Sequence, residues 1–251
     1  MTADPLRPRV IAIASGKGGV GKTWFAITLA HALSRLGRRV LLFDGDLGLA
    51  NIDVQLGLVP AYDLGSVLEG RVGLAEAVVR EPRGGFDILA GRSGSGSLSG
   101  LDPAHLETVL ALPRAGAAGY DDVLLDVGAG VERAVRRMAA ASDLLLVLAT
   151  EEPTSLTDAY AVLKLFRADC PDGAARVVVN LASSVANGDR TYAALRRACA
   201  TFLRFEPGLA GVVRRDDKVR DAIRRQTPLL TRHPGCAAAR DVEGVALGLV
   251  R

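Results

Sequence analysis

Short apolar runs alternate along this chain with segments whose apolar residues recur at helical spacing. Runs 10–14, 40–43, 86–89, 123–126, 144–148, 177–180 and 211–213 are nearly continuous Val, Ile, Leu and Ala, with few polar interruptions. Runs of this length, rich in β-branched residues and bounded by turn formers, read as strands buried on both faces. Between them, Phe25, Ile27, Leu29, Ala30 and Leu33 recur as on one side of a helix, and Leu36-Gly37 reads as its stop. Further helices are expected over 63–68, 74–79, 155–166, 190–200, 216–225 and 237–250, and one begins at Asp102-Pro103, with Asp as cap and Pro at the first position. Segment 47–57 is neither clearly helix nor strand, and Gly48 and Gly57 suggest a loop able to move. Segment 90–100 is rich in Gly and Ser and reads as a flexible loop rather than a linker, because the alternation resumes beyond it. Seven to eight strands alternating with helices predict an α/β fold with a doubly wound, mostly parallel sheet. The expected organisation is a short flexible N-terminus over 1–9, one domain over 10–235, and a weak C-terminal helix over 236–251.

Composition narrows this little. The chain has 251 residues, 49% hydrophobic but only 4% aromatic, so its core is expected to be Ala, Val and Leu. A net charge of +3 is too balanced to argue for nucleic acid. Cys170, Cys199 and Cys236 lie far apart, and His31, His105 and His233 are scattered, so neither a disulfide framework nor a metal cluster is indicated. The first nine residues hold two prolines and no apolar stretch, and no run approaches a membrane span. A soluble cytoplasmic protein is expected.

The chemistry concentrates where the first strand meets the first helix. Ser15-Gly16-Lys17-Gly18-Gly19-Val20-Gly21-Lys22-Thr23 fits the phosphate-loop pattern G-x-x-x-x-G-K-[ST] in its proper strand–loop–helix setting. Glycines let backbone N–H groups turn inward around phosphate oxygens, and the following helix adds its free N–H groups and positive dipole end. Lys22 supplies a point charge for the β- and γ-phosphates, and Thr23 a hydroxyl for Mg²⁺. The loop residues Gly16, Lys17, Gly18, Gly19, Val20, Gly21, Lys22 and Thr23 are therefore expected to bind nucleotide. Asp126 closes a buried strand as a Walker B aspartate holding Mg²⁺ through water, and Asp44 and Asp46 close another beside the ligand crevice. Lys17 is not required by the general pattern. Only four of the 31 cationic residues are lysines, yet two of those four lie in this loop, so a compact ammonium is wanted at both places.

Three stretches resemble one family, the MinD/ParA group of ATPases with a deviant phosphate loop, and within it the flagellar-number regulators FlhG and FleN. Residues 16–23 match the whole superfamily. Residues 44–57, Asp-Gly-Asp-Leu-Gly-Leu-Ala-Asn-Ile-Asp-Val-Gln-Leu-Gly, narrow the likeness to the MinD-like branch, and 152–164, Glu-Pro-Thr-Ser-Leu-Thr-Asp-Ala-Tyr-Ala-Val-Leu-Lys, to the flagellar regulators. The resemblance implies a single MinD-like P-loop domain that binds ATP and Mg²⁺ and forms a homodimer when ATP-bound. It makes Lys17 the signature lysine, reaching the partner's phosphates, and Asp46 the group that positions the attacking water. Lys17, Lys22 and Asp46 would then be the catalytic groups of a slow, dimer-dependent ATPase. Thr23, Asp126 and Asp44 would serve the metal, Asn180 would hydrogen-bond the adenine, and Arg214 would lie by the base. Implied partners are an FlhF-type GTPase, a flagellar transcription activator or a basal-body protein, with location on the inner membrane face or at a pole.

Several positions depart from the pattern. Val127 replaces the usual Ser or Thr after the Walker B aspartate, which removes a hydroxyl near the γ-phosphate. Arg214 stands where Pro is usual, and the segment by which some members stimulate the flagellar GTPase is absent from the N-terminus. In the last helix Val242, Val245 and Leu249 share a face, interrupted by Gly244 and Gly248, with Arg240 and Arg251 its only cations. Core packing is the expected use of that face, and binding to a membrane surface the alternative. The basic cluster from Arg214 to Arg225 interleaves with Asp216, Asp217 and Asp221, so a solvated face or pocket rim is expected rather than a DNA surface. Alternative functions in this fold are a partitioning ATPase that binds DNA, a cell-division positioning ATPase, and an ATP-dependent ligase. An iron–sulfur carrier would need clustered cysteines, which this chain lacks.

Overall fold

The computed structural model describes residues 7–46, 50–91, 103–115 and 117–250. The chain runs β1 (Arg9–Ser15), α1 (Lys22–Arg35), β2 (Val40–Gly45), α2 (Ile52–Leu56), α3 (Leu64–Leu68), α4 (Leu74–Ala77), β3 (Val78–Glu81), β4 (Phe86–Leu89) and α5 (Pro103–Ala115). It continues through β5 (Asp122–Ala129), α6 (Arg133–Ala140), β6 (Leu144–Ala149), α7 (Pro153–Asp169), β7 (Ala175–Ala182), α8 (Val185–Leu203), β8 (Gly208–Arg214), α9 (Asp217–Arg224), α10 (Leu229–Arg232) and α11 (Ala237–Val250). The eight strands form one sheet in the order β3-β4-β2-β5-β1-β6-β7-β8. Every pairing is parallel except β3 with β4. This is the doubly wound sheet that the alternation predicts.

The two-residue period of each strand divides the core into two layers. Ile11, Ile13, Leu42, Leu124 and Leu146 pack with α1 and α11 on one face. Val10, Ala12, Phe43, Val123, Leu125 and Val147 pack on the other, with Val135 and Met138 of α6 and Leu163 and Phe166 of α7. Both faces are covered, so alternation vanishes from the sequence and the strands read as continuous apolar runs. Asp122, fully buried at the start of β5, is neutralised by Arg9 and Arg38 at 2.8 and 2.7 Å.

The structure corrects several local expectations. The helix expected over 74–79 ends at Ala77, and Val78–Glu81 instead pairs antiparallel with β4 as an edge strand. Val78 and Val79 are β-branched, and a neighbouring strand edge was available to them. Within 47–57, Ile52–Leu56 forms a short helix, closed by Gly57 at φ 65. Helix α6 escaped the sequence reading, although Ala134, Val135, Met138 and Ala139 bury one side of it. β5 runs on through Gly128 to Ala129, three residues past the apolar run that ends at Asp126. The glycine-serine loop from 92 onward, Leu47-Gly48-Leu49 and the Asp102 cap lie outside the described residues.

Helix α11 belongs to the sheet packing. Val242, Val245 and Leu249 are buried, with the helix against α1 and β8. Arg9 and Arg176 donate to the carbonyls of Leu249 and Gly248, and Arg35 pairs with Glu243 at 3.0 Å. The packing alternative therefore describes this helix, and its apolar face is not presented outward. Among the described residues, no helix is long and apolar enough to cross a membrane.

Candidate nucleotide-binding site

The parallel strands end together on one side of the sheet, and loop 16–21 joins β1 to α1 there. Gly19 and Gly21 take left-handed φ of 80 and 84, which a side chain would resist. Gly21 occupies the N-cap of α1, no side chain caps the first turn, and no acidic residue lies in it. The helix thus presents uncapped N–H groups and an uncompensated positive end, the arrangement that takes an anion. Gly16 is needed for another reason, since a Cβ there would collide with the backbone of Asp158 in α7.

Lys22 begins α1 and points inward. Its Nζ lies 2.9 Å from Asp126 Oδ1, and the two side chains are 9% and 1% exposed. Asp126 sits opposite Asp44 in the β2–β5 register, so two buried carboxylates lie side by side and one of them holds the ammonium. Burial, and then the charge of Asp126, push the Asp44 carboxyl up to about 7, against the lowering effect of three backbone donors. Those donors are the N–H groups of Asp46, Asn51 and Ile52, at 3.2, 3.1 and 3.2 Å. Asp44 therefore ties both ends of segment 46–52 to the strand tip. In this structure its oxygens serve the backbone of that segment, and metal support would be exerted through it.

A cleft of about 550 Å³ opens over the loop, with Lys17, Lys22, Thr23 and Asp46 in its lining. The Asp46 carboxylate stands over Gly128, whose Cβ, were there one, would lie 3.7 Å from its Oδ1. Thr23 and Asp46 thus share the cleft with Lys22, while Asp126 lies behind Lys22. Lys17 is folded back across the loop, with Nζ 2.8 Å from Glu152 Oε2 and 3.3 Å from Thr154 Oγ1. The Lys17 hydrogen bond, and then its charge, hold the Glu152 carboxyl below its ordinary range. The pair is largely exposed, at 36% and 64%, so it binds weakly and exchanges readily.

Two expected base contacts are placed differently. The Arg214 guanidinium makes a double hydrogen bond to Asp241 of α11, at 2.8 and 2.7 Å, and does not line the cleft. Its neighbour Arg215 does. Arg214 is the last residue of β8 and Arg215 the first beyond it, where the chain turns toward the cleft. Asn180 is fully buried, and its Nδ2 donates to the Val20 carbonyl at 2.8 Å, so it braces the phosphate loop. Its Oδ1 is enclosed and without a partner. Val127, the residue in place of a hydroxyl, is fully buried in the layer of Val135 and Met138, away from the cleft. Asp216 is structural: it caps α9 through Lys218 and accepts from the first N–H groups of α11.

Trp24, Gln55 and Leu181, to which the sequence assigns no role, line the cleft, and Arg215 and Arg220 of the basic cluster lie at it as the expected pocket rim. Glu152 and Thr154 were quoted for resemblance but given no role toward Lys17. Leu181 follows Asn180 with φ 56, a left-handed conformation rare for a branched side chain and common at ligand sites. Only Trp24 carried a usable signal, as a large aromatic directly after the loop motif.

The residues present fit a magnesium nucleotide: an uncapped helix end, an inward ammonium, a hydroxyl and carboxylates in one cleft, and an orphaned amide oxygen behind the loop. Comparisons with known proteins agree. The pattern of the CobQ/CobB/MinD/ParA nucleotide-binding domain matches residues 11–229. The antiactivator FleN of Pseudomonas aeruginosa is 37% identical over 238 residues, 95% of this chain and 85% of that protein. The flagellum site-determining protein YlxH of Helicobacter pylori is 34% identical over 157 residues, 62% of this chain and 53% of its own length. In structure, the cell-division protein MinD of Aquifex aeolicus superposes with a TM-score of 0.76 at 28% identity, covering 96% of each chain.

Proposed function

The chain belongs to the CobQ/CobB/MinD/ParA nucleotide-binding family, a MinD-like P-loop ATPase similar to FleN, and from that premise we propose that it is an ATP-dependent dimerisation switch regulating flagellar number or placement. The observation that carries the reading is Lys17. It stands in the loop, outside the buried Lys22–Asp126 pair, and is held by the exposed Glu152 carboxylate and the Thr154 hydroxyl. A cation so placed is free to leave Glu152 and meet the phosphates of a second copy. Charge supplied across an interface acts only in the assembled dimer, which makes hydrolysis dependent on dimerisation.

Within one protomer, Lys22 and the uncapped turn of α1 hold the β- and γ-phosphates. Thr23 would ligate Mg²⁺ directly, and Asp126 would hold it through water. The metal supplies charge neutralisation on the phosphate oxygens. Asp46 orients a water at the cleft, and Asp44 fixes Asp46 through its backbone N–H. Because Asp44 also holds Asn51 and Ile52, a shift of Asp46 is passed to α2 at the protein surface. The flagellar assignment rests on the likeness to FleN and to the flagellum site-determining protein YlxH, and it makes an FlhF-type GTPase, a transcription activator or a basal-body protein the partner class.

Light scattering with and without Mg-ATP tests the switch. A doubling of mass with ATP, absent with ADP, is expected, and a monomer at saturating ATP would refute it. Deletion of the gene followed by counting flagella tests the role, and an unchanged number and position would refute that.

A further inference from the structure

Trp24 is the chain's single tryptophan and directly follows the phosphate-loop motif. It is 7% exposed and lines the cleft. Its ring is held edge-on to Phe25, with centroids 6.4 Å apart at 82°. With Ile27, Gln55, Leu56, Val219 and Ala222 it also lines a small space of about 20 Å³.

The indole nitrogen lies against the loop. A Cβ on Gly21 would collide with Trp24 Nε1 and with Asn180 Nδ2, so Gly21 is also the glycine that admits the indole. Asn180 spends an N–H on Val20, whereas Trp24 Nε1–H makes no hydrogen bond to any described residue. An accessible indole N–H in a cleft is a donor that a ligand acceptor can take up. Beside Trp24, Gln55 of α2 lines the same cleft, and its Oε1 is enclosed with no partner. One corner of the cleft therefore offers an unused donor and an unused acceptor, on side chains from two different elements.

A hydroxyl group is the chemistry that answers both, since it accepts and donates at once. The corner adjoins Thr23, at the start of α1, beyond the ammonium that takes the terminal phosphates. The sugar of a nucleotide is the hydroxyl-bearing part that follows the phosphate chain. We propose that Trp24 and Gln55 form a ribose-reading corner, in which the indole N–H donates to a sugar hydroxyl and Gln55 Oε1 accepts from one. The inference rests on the assignment of ATP as ligand. It adds a consequence: sugar occupancy is felt by Gln55, hence by α2, which Asp44 ties to Asp46.

The full-length protein with Mg-ATP, Mg-2′-deoxy-ATP and Mg-3′-deoxy-ATP tests this. With one tryptophan, a proton–nitrogen correlation spectrum holds one indole peak. Saturating ATP is expected to move that proton downfield, and at least one deoxy analogue to leave it near its free position. By calorimetry, Trp24→Phe and Gln55→Leu should each weaken ATP binding roughly three- to tenfold, the worth of a neutral hydrogen bond, and reduce the preference for ATP over that analogue. An indole peak unmoved at saturation, or wild-type affinity equal for all three nucleotides, overturns the corner while leaving ATP binding intact. No calorimetric binding of ATP by the wild type would instead defeat the nucleotide assignment itself. If either variant melts early, the indole peak of the unaltered protein still decides.

Discussion

Replacing Lys22 by Met should destabilise the protein in the absence of nucleotide, and more so as the pH rises. The ammonium pairs with Asp126, which is 1% exposed and lies opposite the equally buried Asp44 across the strand pair. Removing one member of a buried ion pair leaves an uncompensated charge, which typically costs 3–5 kcal/mol. Lys22 lies at the edge of an open cleft, and water entering there relieves part of the cost, so about 3 kcal/mol is expected. For a chain of this size that corresponds to a melting point lower by roughly 10 °C. The sign with pH follows from Asp44. Its folded-state pKa is raised to about 7, so the stability it contributes is present in acid and lost as the pH rises through 7. With the ammonium gone, Asp126 is left unpaired and is repelled by Asp44 once that group ionises, so the loss should be greater at pH 8 than at pH 6. The double variant Lys22→Met, Asp126→Asn should recover much of it, because no buried charge is then left without its partner. Urea denaturation of the nucleotide-free protein at both pH values measures all three. A Lys22→Met protein within about 1 kcal/mol of wild type at pH 8, with no pH trend, would refute the view that this pair is charged and buried.

Lys17→Ala should bind ATP nearly as well as wild type and lose less than about 1 kcal/mol of stability, because its pair with Glu152 is exposed. It should fail to form the ATP-dependent dimer, and a dimer by light scattering would remove the in-trans role. Asp46→Ala should trap the ATP dimer, and phosphate release at the wild-type rate would show that Asp46 does not position the water. Asp44→Asn should flatten the stability change of the nucleotide-free protein between pH 6 and 8, and an unaltered pH profile in denaturation would assign that change elsewhere. Val242→Asp should cost more than about 3 kcal/mol by placing a charge among apolar side chains. An unchanged urea midpoint would mean that α11 is undocked in solution.

The legible parts of this protein are those where local chemistry and local pattern coincide. The phosphate loop was readable because glycines with left-handed torsions, an inward lysine and a helix start are all specified within a few residues. The central strands were readable because both faces are buried and every position must be apolar. Edge strand β3 was not, since Val78 and Val79 suit a strand or the end of a helix and only the exposed edge of β4 settles the matter. Arg214 and Arg215 differ in sequence only by order, yet one ends β8 and grips Asp241 while the other, just past the strand, enters the cleft.

By itself, then, the sequence determined the doubly wound α/β fold, the phosphate loop, and the carboxylates at the strand tips. Each depends on spacing within one element, and spacing is written in the chain. The tertiary structure alone decided which groups meet across elements: Lys22 with Asp126, Lys17 with Glu152, Asn180 beneath Val20, and α11 closed onto α1 and β8. It also brought the indole of Trp24 and the unpartnered amide oxygen of Gln55 to one cleft. Hydrogen bonding and desolvation act on distances between atoms, and parallel crossovers bring together residues more than a hundred positions apart, a proximity that no local periodicity encodes.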